Sequence, residues 1–127
     1  MSWTFKQSTG EMSNPEGKVV ATGYAGGNCG NNPEGINNPA MQEVHAVGPL
    51  PQGVYKFDTV VLQSHLGPYA IPLIPDPTNE MFGRSAFYIH GDTVGRPRCA
   101  SEGCIIMPRA IREDMYLGDD HTVVVVE

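Results

Sequence analysis

The chain has 127 residues and a formal net charge of −6, with 14 Asp and Glu residues against 8 Lys and Arg residues. This length fits one domain over residues 1–127 and is enough to bury a hydrophobic core. The shortage of basic residues argues against a nucleic-acid partner. No apolar run approaches the roughly 20 residues needed for membrane insertion. The 15 Gly and 11 Pro favour short strands and tight turns over long helices.

The first half of the sequence predicts strands separated by turns and one long loop. Trp3 and Phe5 alternate with polar residues over residues 2–9, a pattern typical of a half-buried strand. Residues 11–18 ("EMSNPEGK") predict a turn, and residues 19–25 predict a second strand that would form a hairpin with the first. The segment that follows is rich in Gly, Asn and Pro. Loops of its length inside a compact domain are often functional.

The second half predicts further short strands and a helix. The helix candidate covers residues 108–118, with Pro108 in its first turn and Gly118 as its terminator. The final "HTVVVVE" predicts a strand that is buried on both faces. The remaining strand candidates are residues 54–62, 70–74, 86–90 and 104–107. The chain is therefore expected to be mainly β, with roughly six to nine strands and one short helix.

His90 and Cys104 are the candidates for chemistry. A free thiol has a pKa of roughly 8.5, so little thiolate exists at neutral pH. A neighbouring imidazole can accept the proton, and we expect His90 to lower the pKa of Cys104 and to form a reactive ion pair with it. His90 ends a predicted strand, and the loop after it is long enough to bring Cys104 alongside. The alternatives are a buried structural thiol and a histidine that caps a strand end.

Three residues near this pair could assist it. Gly103 permits a sharp turn before Cys104 and would leave neighbouring backbone N–H groups open to a developing oxyanion. Ser101 and Asp92 are polar neighbours that could orient His90 or a substrate.

The three cysteines leave other interpretations open. An odd number leaves at least one thiol unpaired within the chain. A disulfide between Cys99 and Cys104, or between Cys29 and Cys99, is possible if the chain reaches an oxidising compartment. Those three cysteines and His90 could also bind zinc, although only Cys99 and Cys104, with four residues between them, approach the usual ligand spacing. We expect no metal and no other cofactor.

The segments "IHGD" and "ASEGCIIM" resemble the active-site signature of L,D-transpeptidase catalytic domains. In those domains the histidine of an H-G pair precedes a loop and an S-H-G-C motif. The upstream "GPLPQGVYKF" is similar to the Pro-Gly turn and strand that precede this signature. The chain is most similar to small L,D-transpeptidase-like effectors exported by type VI secretion, through "GYAGGNCGNNP", "GRSAFYIHGD" and "SEGC". The resemblance extends over nearly the whole chain.

This resemblance implies an L,D-transpeptidase-like β-sandwich with one short helix. It also implies that Cys104 is the nucleophile and His90 its base, and it places Ser101 and Gly103 in the family motif. Cys99 has no matching role.

The sequence departs from ordinary L,D-transpeptidases at two positions. Glu102 stands where those enzymes have histidine, and Ile106 stands where they often have arginine. A substrate carboxylate that such an arginine would hold needs another partner. Arg84 is the candidate, with Asp92 as a second substrate-binding residue.

The resemblance implies an enzyme that acts on peptidoglycan stem peptides. Its cysteine would attack the meso-diaminopimelate carbonyl of a tetrapeptide stem and release D-alanine. Transfer to water gives L,D-carboxypeptidase activity, and transfer to an amine gives L,D-transpeptidase exchange or cross-linking. The alternatives are a cysteine peptidase or amidase that cuts within the stem, and a non-catalytic zinc or structural module. The histidine precedes the cysteine in this chain, which is the reverse of the papain order.

The expected partners are the secretion apparatus and a cognate immunity protein. The N-terminus lacks the charged and apolar regions of a signal peptide. We therefore expect a protein that is made in the cytoplasm, secreted, and active as an antibacterial toxin in the periplasm of a target bacterium.

Overall fold

The computed structural model describes residues 2–93, 95 and 99–127. In this part of the chain there are nine β-strands, one α-helix and two short 3-10 helices, at Pro33–Gly35 and Pro39–Met41. The strands and the α-helix are β1 (Trp3–Lys6), β2 (Glu11–Ser13), β3 (Val19–Thr22), β4 (Tyr24–Ala25), β5 (Gly53–Phe57), β6 (Ile71–Pro75), β7 (Tyr88–His90), β8 (Ile105–Ile106), α1 (Arg109–Leu117) and β9 (Thr122–Val126). The expectation of a mainly β fold with one short α-helix is confirmed.

The nine strands form one sheet that nearly closes into a barrel, in the order β3-β2-β1-β9-β5-β6-β7-β8-β4. The two end strands, β3 and β4, are consecutive in the chain and are separated by Gly23. A Cβ atom at Gly23 would collide with the carbonyl oxygen of Ile106. The absence of a side chain therefore lets the chain pass from β3 at one edge of the sheet to β4 at the other, where β4 pairs with β8.

Strand alternation places the core on one face of the sheet. Successive side chains of a strand point to opposite faces, and Ile89 and Ile105, which are paired in register, are both fully buried. The same core contains Trp3, Phe5, Met12, Tyr55, Ile71, Leu73, Met115, Val123 and Val125. Because His90 follows Ile89, its side chain points to the opposite face of the strand.

The prediction of a turn over residues 11–18 is wrong for its first part. Residues Glu11–Ser13 form β2, which pairs antiparallel with both β1 and β3. Met12 is fully buried, whereas Glu11 and Ser13 are partly exposed. One apolar residue in a three-residue strand is too short a pattern to distinguish from a turn. The actual turn starts at Asn14, whose side chain accepts hydrogen bonds from the N–H groups of Glu16 and Lys18.

Three other strand predictions need correction. Residues 19–25 form two strands, β3 and β4, and β3 pairs with β2 and not with β1. The last strand is not buried on both faces, because Val123 and Val125 are buried while Val126 is 38% exposed. β5 ends at Phe57 rather than at residue 62.

The helix prediction is confirmed, with Pro108 at the N-cap and Gly118 at the C-cap. Within the described ranges, no helix combines the length and the apolar character that a bilayer crossing needs.

Candidate active site

The parallel pairing of β7 and β8 brings the two predicted catalytic residues together. His90 lies opposite Ile106 and Ile89 lies opposite Ile105, so Cys104 precedes β8 and is diagonal to His90. With strands ~4.8 Å apart and a rise of ~3.3 Å per residue, the Cα atoms of such a pair are on the order of 8 Å apart. His90 and Cys104 line the same cavity, which has a volume of about 620 Å³.

The hydrogen bond of His90 defines which of its nitrogens can act as a base. Nδ1 lies 2.9 Å from the carbonyl oxygen of Gly91. Because a carbonyl can only accept, Nδ1 carries the proton and Nε2 carries a free lone pair. His90 is 2% exposed, and Nε2 has no hydrogen-bond partner among the described residues. Buried polar atoms are nearly always paired, so this nitrogen is available to a bound group.

The protein around His90 keeps its imidazole neutral. Burial lowers the pKa of His90, and this effect is the largest. The hydrogen bond to Gly91 and the charge of Asp92 raise the pKa, while the charges of Arg112 and His65 lower it further. The ring is therefore uncharged at pH 7.

Cys104 is held as a thiol. Removal of water from around its sulfur raises the pKa of Cys104 to about 11, although the N–H of Tyr88, whose nitrogen lies 3.4 Å from Sγ, acts in the opposite direction. The charge of Glu102 also raises the pKa. The expected thiolate–imidazolium ion pair is therefore not favoured in the resting protein, because burial disfavours both charges.

Ser101 positions the turn before Cys104 rather than orienting His90. It is 2% exposed. Its Oγ accepts hydrogen bonds from the N–H groups of Gly26 at 2.8 Å and Gly103 at 3.0 Å, and it donates to the carbonyl of Cys104 at 2.6 Å. The N–H of Gly103 is thus already used, which removes it from the groups expected to bind an oxyanion.

Arg84 is buried and stabilises the same turn from the other side. Its two terminal nitrogens donate to four backbone carbonyls, at distances of 2.6 to 3.0 Å. These carbonyls belong to Gln42, Gly48, Pro49 and Glu102. The expectation that Arg84 binds a substrate carboxylate does not fit this geometry, because these nitrogens are committed to the backbone. Only 6% of Arg84 is exposed to solvent.

Gly103 fits between Arg84 and Phe87. Its φ of +148° is in the region that favours glycine. A Cβ atom there would lie 2.6 Å from Nη2 of Arg84 and 2.7 Å from the ring of Phe87. The predicted sharp turn at Gly103 is confirmed, and close packing adds a second reason for a glycine.

Asp92 lies beside the site and is held by Tyr24. The Tyr24 hydroxyl donates to a carboxylate oxygen of Asp92 at 2.6 Å and accepts from the N–H of Ala100 at 3.0 Å. Tyr24 is 4% exposed. This tyrosine was not singled out from the sequence, where it is an ordinary strand aromatic.

A disulfide joins Cys29 to Cys99, and Cys104 is the free cysteine. Both bonded cysteines line the cavity that contains His90 and Cys104. The bond takes two of the four ligands that the zinc alternative requires. The described residues contain no group of three or more His, Cys, Asp and Glu placed to hold a metal ion. One of the two disulfides considered from the sequence is thus present, and Cys99 is not incidental.

Arg112 is a residue of the site that sequence reasoning missed. It lies on α1, is 5% exposed, and lines cavities next to His90. The signal was present in the sequence: Arg112 precedes Met115 by three residues, so a charged side chain occupies the buried stripe of the helix.

The sequence model of the Tlde1 domain matches residues 23–126, which include every residue of the site. The chain belongs to the Tlde1 domain family. This is a family of type VI secretion effectors, and membership indicates secretion into target cells, a secretion apparatus and a cognate immunity protein as partners. Searches of curated proteins and of solved structures gave no match.

The pH dependence of Cys104 alkylation tests whether His90 and Cys104 are both uncharged in the resting protein. Because the pKa of Cys104 is raised to about 11, reaction with iodoacetamide should accelerate with pH up to about that value in the folded protein. In urea the same thiol should titrate near 8.5. Reactivity that is already maximal below pH 7 would contradict this prediction and would support a thiolate–imidazolium ion pair between Cys104 and His90. The disulfide leaves Cys104 as the free thiol to be measured.

The disulfide should stabilise the fold, because it joins residues 70 positions apart. Cross-links of this span reduce the entropy of the unfolded chain and contribute about 2–4 kcal/mol. We expect a protein with both Cys29→Ser and Cys99→Ser to lose about that much unfolding free energy in urea titration. Cys104→Ser keeps the disulfide and is the matched control. Equal midpoints for the two variants would show that the cross-link contributes nothing.

Proposed function

We propose that this Tlde1 domain is a cysteine enzyme with L,D-carboxypeptidase and L,D-transpeptidase exchange activity on the tetrapeptide stems of peptidoglycan. The observation that carries the proposal is the buried, unpartnered Nε2 of His90 in the same cavity as the free thiol of Cys104. A free acceptor nitrogen and a thiol are the two groups that nucleophilic acyl transfer needs. The resemblance of "IHGD" and "SEGC" to the L,D-transpeptidase signature supports the choice of substrate.

In the proposed first half-reaction, Sγ of Cys104 attacks the carbonyl carbon of the diaminopimelate residue. Nε2 of His90 takes the thiol proton as the carbon–sulfur bond forms. Because both groups start neutral, the proton moves during the attack and not before it. His90 then gives this proton to the amine of D-alanine as the carbon–nitrogen bond breaks, which leaves a thioester on Cys104.

The oxyanion of the tetrahedral intermediate needs N–H donors. Ser101 already accepts from the N–H of Gly103. We therefore assign the role to the backbone N–H of Cys104 itself, whose position depends on the turn that Ser101 and Arg84 stabilise. Both residues act through that turn and are positioning residues.

In the second half-reaction, the thioester transfers its acyl group to water or to an amine. Nε2 of His90 takes a proton from the incoming nucleophile and returns it to Sγ of Cys104 as the carbon–sulfur bond breaks, so Cys104 leaves as a thiol. Water gives the carboxypeptidase product. A D-amino acid or a second stem gives exchange or cross-linking. In a target bacterium, either outcome consumes tetrapeptide stems that its own cross-linking enzymes use, and we propose this loss as the cause of toxicity in the periplasm.

Cys104→Ala should reduce muropeptide turnover by at least a thousandfold, because a methyl group cannot attack a carbonyl. His90→Gln should show a loss of roughly a hundredfold or more, because the general base is removed. The measurement is mass spectrometry of muropeptides, which also shows which bond is cut. His121→Gln is the matched control, since His121 lies outside the cavity and stacks on Tyr116.

Cleavage at a bond within the stem, with loss in the same variants, would support the peptidase or amidase alternative instead. Turnover by folded Cys104→Ala protein would exclude Cys104 as the nucleophile.

Toxicity should depend on the compartment. Expression in the cytosol of a susceptible bacterium should have little effect, and fusion to an added secretory signal should inhibit growth or cause lysis. The reason is that peptidoglycan lies outside the inner membrane. The exported Cys104→Ala protein is the control and should be harmless. Equal toxicity of the cytosolic and exported forms would contradict a peptidoglycan target.

A further inference from the structure

A second cavity, of about 640 Å³, is also lined by His90, and two arginines of α1 form part of its wall. It shares His65, Leu66, His90, Cys99 and Ala100 with the cavity that contains Cys104. Arg109 and Arg112 line the second cavity and do not line the first. His90 therefore lines both the cavity that contains Cys104 and the cavity that contains the two arginines.

The guanidinium of Arg112 is buried, and no carboxylate among the described residues forms an ion pair with it. Its Nε donates to the carbonyl of Met107 at 3.1 Å, and its Nη1 donates to the carbonyls of Pro68 at 2.9 Å and Tyr69 at 2.7 Å. Among the described residues, the ion pair present is the one between Arg109 and Glu113.

Burial lowers the pKa of Arg112, and the charge of Glu113, which makes no ion pair with it, offsets this only in part. The carboxylate of Asp92 also lines the cavity and accepts a hydrogen bond from Tyr24. A bound anion would give Arg112 a direct partner of opposite charge.

The remaining nitrogen of Arg112 has space beside it because residue 91 is a glycine. The three hydrogen bonds use Nε and Nη1 and leave Nη2 next to Gly91. A Cβ atom at Gly91 would lie 2.9 Å from Nη2. Nη2 therefore offers donors at the edge of the cavity, adjacent to His90.

We infer that this second cavity is a carboxylate subsite, in which Arg112 binds the α-carboxylate of the D-amino acid that leaves the stem and of the D-amino acid that replaces it. The inference rests on the proposed function. His90 must give a proton to the leaving amine and take one from the incoming amine, so the two amines occupy the same place. In an α-amino acid the carboxylate is two bonds from the amine. An amino acid whose amine is hydrogen-bonded to Nε2 of His90 therefore places its carboxylate near the cavity wall that Arg112 forms.

The subsite makes a free carboxylate a condition of efficient reaction. Hydrogen bonds between charged groups are stronger than those between neutral groups, and the loss of one reduces binding by about tenfold to a hundredfold. We expect kcat/KM for release of D-alanine from a stem to exceed that for release of D-alaninamide by that factor. D-Alanine should exceed D-alaninamide as an acceptor by a similar factor.

The kinetic test separates the two sources of the carboxylate. Stems that end in D-alanine or D-alaninamide report the leaving group, and exchange with added D-alanine or D-alaninamide reports the acceptor. Arg112→Lys and Gly91→Ala should bring both acid-to-amide ratios close to one. Gly91→Ala keeps the buried arginine and places a methyl group against Nη2, so it serves if Arg112→Lys fails to fold. If these variants change the acid-to-amide ratio for the leaving group alone, or for the acceptor alone, the subsite binds only that group.

Arg84→Lys is the matched control, because Arg84 is also a buried arginine that donates to backbone carbonyls and it lines the cavity of Cys104 alone. It should lower kcat/KM for acid and amide substrates alike and leave their ratio unchanged. A change of the ratio in this control would show that the preference does not arise at Arg112.

A binding experiment decides the inference even without turnover. In the Cys104→Ala protein, D-alanine should bind about tenfold to a hundredfold more tightly than D-alaninamide, because only the acid brings a carboxylate to Arg112. Binding is followed by NMR of the His90 imidazole, and Gly91→Ala in the same background should remove the difference between the two ligands. Absence of binding by D-alanine, or equal affinities for the acid and the amide, would overturn the inference. If wild-type protein leaves stems intact, the proposed function fails, whereas turnover with equal rates for acid and amide overturns the subsite alone.

Discussion

The parallel pairing of β7 with β8 is the constraint on which the candidate site depends. It places Cys104, which directly precedes β8, diagonal to His90 of β7, while Ile89 and Ile105 are buried in the core. A slip of one residue in this register would exchange the two faces and bury the reactive groups among apolar side chains. The buried isoleucine pair therefore fixes the geometry of the chemistry as well as the stability of the sheet.

Parallel neighbours need a crossover connection, which is usually a helix. Here the connection from His90 to Cys104 has no helix among its described residues, and other parts of the chain hold it in place. Ser101 binds its end to Gly26, Arg84 binds the carbonyl of Glu102, and Tyr24 binds Ala100. These side chains satisfy backbone groups that a helix would have satisfied internally. The polar residues around the thiol are in this sense structural substitutes for regular secondary structure.

The sequence allowed most strands and the helix to be predicted, because alternation and Pro/Gly punctuation are local signals. The pairing of His90 with Cys104 followed from the family-like motif. The role of Arg84 could not be predicted, since three of its four carbonyl partners lie 35 to 42 positions away in the chain. The protonation of the pair was also beyond reach. It depends on how much water the fold removes from each group, and no motif encodes that.

The disulfide between Cys29 and Cys99 also determines which cysteine keeps a free thiol. A chain with three thiols that enters an oxidising compartment can form a bond between any two of them. Both pairings that include Cys104 would trap the proposed nucleophile, and Cys99 is its close neighbour in sequence. The fold instead brings residue 99 to residue 29, where the N–H of Asn28 donates to the carbonyl of Ser101 at 3.0 Å. Correct folding thus acts as protection against mispairing, and the one cysteine left over is the one beside His90.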